Sequence, residues 1–89
     1  MNIQEASRFA YRLRKDMADV GIKSHGAWSS ISGKTYLISN LGPVKPLAVV
    51  DYSGDEFAIR FSADLKNEQD KIEDIMKRYP AASMEFEDS

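Results

Sequence analysis

The spacing of apolar residues changes twice along this chain, and that change limits its folds more than any other feature. Ile3, Ala6, Phe9, Ala10, Leu13, Met17 and Val20 recur every three or four positions. At 3.6 residues per turn they form one stripe on a helix. Asn2 stands before the stripe as an N-cap, and Gly21 stands after it as a stop. From Ser24 to Ser62 the helical period disappears. Trp28, Ile31, Tyr36, Leu37 and Ile38 fall in short runs around Ser32-Gly33, which has the composition of a hairpin turn. Gly42, Pro43 and Pro46 mark residues 40–46 as a loop. Leu47 to Tyr52 is a compact apolar strand, and Ser53-Gly54-Asp55 is the next turn. Phe57, Ile59 and Phe61 then alternate with Ala58 and Arg60, so the first three are predicted to face the helices.

Helical spacing returns over 65–79 with Leu65, Ile72, Ile75, Met76 and Tyr79. Asp64 and Asn67 are its candidate caps, and Pro80 ends it. Opposite charges lie four apart in Lys66–Asp70, Glu73–Lys77 and Asp74–Arg78. The tail Ser83-Met84-Glu85-Phe86-Glu87 alternates as a short extra strand would. One amphipathic helix at each end of a four-stranded antiparallel meander predicts an α+β, two-layer sandwich of order α-β-β-β-β-α, with a short fifth strand as an optional addition.

The 89 residues suffice for one core and not for two, which predicts a single domain over 1–89. A hydrophobic content of 43% with 29% charged residues is that of a folded globular chain. There is no cysteine, so disulfides, thiolate metal sites and Cys nucleophiles are excluded together. The longest apolar run, Leu47-Ala48-Val49-Val50, falls far short of the roughly twenty residues a spanning helix needs. The start has neither the basic nor the apolar stretch of a signal peptide. A cytoplasmic protein without a membrane partner is the expectation.

Several motifs approach a known chemistry and stop short. Gly33-Lys34-Thr35 resembles the end of a phosphate-binding loop, but Trp28 stands where the first glycine belongs and a strand follows instead of a helix. Asp51, Ser53 and Asp55 have the spacing of calcium ligands, but Glu56 replaces the required Gly and Ser62 the required Glu. A hairpin turn bonded by Asp and Ser side chains accounts for that run. Pro43-Val44-Lys45-Pro46 has PxxP spacing without a flanking basic residue to orient it. His25 is the single histidine, and no carboxylate or nucleophile is positioned beside it. Asp70, Glu73 and Asp74 share a helix face on which each has a basic neighbour. No cofactor, no metal and no catalytic residue is expected, and the chain reads as a non-enzyme.

The charge is uneven. Residues 1–46 carry seven basic and three acidic side chains, and residues 47–89 carry five and eleven, so the net -2 is the remainder of +4 and -6. Arg8, Arg12 and Lys15 lie opposite the apolar stripe of the first helix, where Arg12–Asp16 and Lys15–Asp19 have the spacing of ion pairs. Lys23, His25 and Lys34 extend this basic set, and Trp28 or Tyr36 adds a stacking surface. The element order is similar to that of the double-stranded-RNA-binding fold and of toxin ribonucleases with the same topology, which would imply RNA as a ligand. The RNA-binding family has a Lys-rich run at the start of its second helix, where this chain has the acidic Asp64-Leu65-Lys66-Asn67-Glu68-Gln69-Asp70. The toxins carry a Gly-Ser-His context where this chain has Ser24-His25-Gly26. The favoured expectation is a module that binds another protein through a charged surface or a sheet edge. The alternative is a nucleic-acid-binding domain using Arg8, Arg12, Lys15, Lys23, His25, Trp28 and Lys34.

Overall fold

A computed structural model describes residues 2–38 and 45–88. The element order is α1 (Ile3–Asp19), β1 (Gly26–Ser29), β2 (Lys34–Ile38), β3 (Pro46–Asp51), β4 (Ala58–Phe61), a 3-10 segment (Ala63–Glu68), α2 (Gln69–Met76) and β5 (Ser83–Phe86). The α+β class and the strand meander follow the apolar spacing. The loop at 40–46 and the PxxP run lie largely outside the described residues, and Pro46 opens β3 where a loop was expected. A strand's first position tolerates proline.

Both ends of α1 are fixed locally. Asn2 accepts from the Glu5 N–H at 2.8 Å while Glu5 accepts from the Asn2 N–H at 3.2 Å, a reciprocal capping box. At the other end Ile22 N–H donates to Met17 O and Gly21 N–H to Ala18 O, with Gly21 at φ 91°. This double bond pattern needs a residue in the left-handed region, and the accompanying apolar contact is made by the buried Met17 and Ile22.

The sheet order is β1-β2-β3-β4-β5, antiparallel through the first four strands and parallel between β4 and β5. A parallel neighbour needs a long crossover. Residues 62–82 supply it, carrying α2 over the same side as α1. One face of the sheet (Thr35, Leu37, Ala48, Val50, Ile59, Phe61) meets Leu13 and Met17 from α1 and Ile72 and Ile75 from α2. Phe57, Ile59 and Phe61 lie on this side as expected, with Phe57 stacked on Phe9 at 4.3 Å. The buried Thr35 hydroxyl is bonded to Ser29 Oγ at 2.8 Å, which removes the cost of burying it unpaired.

The second helical segment differs from a continuous 65–79 helix. Ser62, not Asp64 or Asn67, caps its start by accepting from the Asp64 N–H, and the first turns are 3-10. The four-apart pairs also give way. Lys71 pairs with Glu68 and Lys77 with Asp74, both three apart, and Arg78 turns to Asp16. At Arg78 the tertiary partner Asp16 displaces a local Asp74 pair that would be worth only a few tenths of a kcal/mol.

Among the described residues two glycines sit at positive φ, Gly21 at 91° and Gly33 at 96°. At Gly21 an added Cβ meets open space, but at Gly33 it comes within 2.9 Å of Ser53 Cβ. Gly21→Ala is expected to cost about 1 kcal/mol for the backbone alone. Gly33→Ala is expected to cost clearly more, because the β1–β2 and β3–β4 turns must separate. Paired urea denaturation of the two variants tests this, and equal losses would disprove the close-approach account.

Candidate functional site

The register decides which side chains share a surface. Trp28 pairs with Tyr36, Tyr36 with Val49, Val49 with Arg60 and Arg60 with Glu85. Thr35 and Leu37 point into the helical layer, so Tyr36 between them points away, and this whole row stands on the face without helices. Trp28 is 60% exposed, and its ring stacks on Tyr36 with centroids 5.6 Å apart. Arg60 donates from Nε and Nη2 to Glu85 Oε1 at 3.1 and 3.0 Å. Both members of that pair are exposed, so it orders the face more than it stabilises the fold.

A depression of about 320 Å³ crosses this face, lined by Lys34, Lys45, Pro46, Val49, Asp51, Ala58, Ile59, Arg60, Glu85 and Glu87. Its charges are balanced, three basic against three acidic. Asp51 accepts from the Ser53 hydroxyl at 2.6 Å and the Ser53 N–H at 2.9 Å. Those two bonds, with Lys34 nearby, hold its carboxyl below the usual carboxylate range. This is the hairpin turn inferred in place of a calcium loop, and its oxygen is occupied within the chain.

The candidate residues from the sequence divide between the two layers. Arg8 and Arg12 are exposed on α1 and border a second depression with Glu5, Phe9, Phe57 and Tyr79. Lys15 and Lys23 border another, with Tyr11, Arg14, Ala18 and Ser24. Trp28 and Lys34 belong to the opposite face of the sheet. A single basic ridge with Trp28 as its stacking platform therefore does not form, because β1 and β2 direct that ring away from α1. His25 is exposed, and its backbone N–H donates to Ile38 O at 2.7 Å to start β1.

The expected Arg12–Asp16 and Lys15–Asp19 pairs are also replaced. Asp16 accepts from Arg78 Nη1 at 3.0 Å and from the Tyr79 hydroxyl. Among the described residues Arg8, Arg12 and Lys15 make no ion pair. Arg14, half-buried, donates to Ser24 Oγ at 2.8 Å and ties α1 to the approach to β1. The residues that sequence reasoning missed are Val49, Arg60 and Glu85. Arg60 was visible as the polar member of the 57–61 alternation, but its neighbours required the register.

Among the described residues no three or more His, Asp or Glu side chains gather where they would hold a metal ion, and no helix is long and apolar enough to cross a membrane. No protein-family model, curated protein or solved structure matches this chain.

The Tyr79 phenol is pushed up to about 12, first by burial and then by its bond to Asp16 and that carboxylate's charge. A group with a raised folded value stabilises the fold fully below its unfolded value, near 10. That contribution is lost as pH rises from about 10 through 12. Tyr79→Phe is expected to flatten the stability profile in this window, measured by denaturation at stepped alkaline pH. An unchanged profile would mean that burial and the Asp16 contact together do not raise this phenol.

Proposed function

We propose that this chain is a non-enzymatic protein-binding module whose docking surface is the open face of the sheet. The observation that carries the reading is Trp28, 60% exposed and stacked on Tyr36 beside a depression with balanced charge. A rigid aromatic pair supplies contact area at low entropic cost, and Trp and Tyr dominate the binding energy of protein interfaces. A polyanion would gain little from a face with as many carboxylates as cations. Arg60 and Glu85, already bonded to each other, provide a polar rim.

The test compares co-purification from the native cell for the wild type and Trp28→Ala. Loss of an interface Trp is expected to weaken capture of a stoichiometric protein by at least about thirtyfold. Arg8→Ala and Arg12→Ala are expected to leave capture intact. Retention by Trp28→Ala would rule the face out.

One observation favours keeping a second reading, in which α1 binds nucleic acid. Arg8, Arg12 and Lys15 are exposed and without ion pairs among the described residues. That reading predicts binding whose logarithm falls with log salt at a slope near minus two to minus three for three phosphate contacts. A titration of labelled RNA and DNA at low salt, followed by amide shifts, decides it. Stationary α1 resonances would eliminate this reading.

A further inference from the structure

We infer that the protein occupying the open sheet face is a second copy of this chain, in a two-fold, sheet-on-sheet dimer with β3 at its centre. The inference rests on the protein-binding reading of that face and names its partner. The face is neutral, so two copies approach without net repulsion.

Charge placement then selects the geometry. Of the two in-plane two-fold axes, one runs across the strands and lays β5 on β5 and β4 on β4, setting Glu85 and Arg60 against their own copies. Like charges meeting in an interface are unfavourable. The other axis runs along the strands and lays β5 of one copy on β1 of the other. It brings Glu85 towards Trp28 and Lys34, sets Arg60 over the Tyr36 ring and places Val49 on the axis. A guanidinium over an aromatic face is an attractive pair. The like-charge meetings this creates lie at the two ends of β3, where Lys45 and Asp51 each approach their own copy. That carboxylate is turned back on Ser53 and lies beside Lys34.

The area sets the strength. Five strands about 4.8 Å apart, with about 3.3 Å per residue, make a face of roughly 20 by 15 Å. Stable associations take roughly 800 Å² of accessible surface from each partner. A planar area of roughly 300 Å² is well under that figure, so the dimer is expected to be weak and reversible rather than obligate.

Trp28 is the single tryptophan of the chain, so its emission reports the interface directly. Sedimentation equilibrium from micromolar to millimolar protein is expected to show a monomer–dimer equilibrium, with a parallel blue shift of Trp28. Val49→Lys places like charges together on the axis and is expected to weaken the dimer at least about tenfold, while Val49→Thr retains it. Lys34→Glu and Glu85→Lys, both at exposed positions, are each expected to weaken it severalfold, and the double variant to recover it. Within one copy these residues are three strands apart, roughly 14 Å, so recovery reports contact between copies.

A monomer at every concentration would overturn the second copy as occupant. If Trp28→Ala still lost a heterologous partner, the protein-binding reading of the face would survive. A dimer untouched by Val49→Lys, as pairing through the β1 edge would give, would also overturn the inference.

Discussion

The molecule depends on one apolar layer, pressed between two helices and a single face of the sheet. Phe61, Leu13, Leu37, Val50 and Ile72 are fully buried in it. Burial of side chains of this size contributes roughly 1.5–3 kcal/mol each before chain entropy is set against it. The α1 stripe alternates these large residues with Ala6 and Ala10, also fully buried, whose size lets the helix approach the strands. The parallel docking of β5 follows from the same layer. The crossover that carries α2 onto it must return the chain beside β4, where Phe86 meets Phe61 at 5.6 Å.

Because all the helices lie on one side, the other face of the sheet is left to the side chains of alternate strand positions. This division organises the surface chemistry. The residues that bury Phe61 and Ile59 necessarily turn Arg60 outward, and the burial of Thr35 and Leu37 turns Tyr36 outward beneath Trp28. The open face is thus the complement of the core, written by the same period of two. The helical layer has its own tie, in which Asp16 joins α1 to the end of the second helical segment through Arg78 and Tyr79. That tie takes Asp16 from Arg12 and leaves Arg12 facing solvent.

Much of the architecture was legible in the sequence because it is local. The Asn2 cap, the Gly21 stop, the turn at Ser53 and the alternation of Phe57, Ile59 and Phe61 each depend on residues a few positions apart. The second helical segment was less legible. Its stripe was clear, but its cap was Ser62 and its first turns were 3-10. Two of its ion pairs moved to a spacing of three, and Arg78 was drawn to Asp16, which lies more than sixty residues earlier in the chain. The candidate site was the least legible part. Arg8, Arg12, Lys15, Lys23, His25, Trp28 and Lys34 were grouped by charge and proximity in sequence, and the register of β1 with β2 separates Trp28 and Lys34 from the helix.

The sequence by itself determined the two amphipathic helices, the strands between them and the uneven charge, since apolar period and local capping act through neighbouring residues. Tertiary structure decided that β5 joins the sheet in parallel, that Asp16 serves Arg78 and Tyr79, and that Trp28, Tyr36, Val49, Arg60 and Glu85 form one row. Those outcomes depend on strand register, and register is set by packing the whole layer at once. A one-residue slip would turn every one of those side chains to the other face.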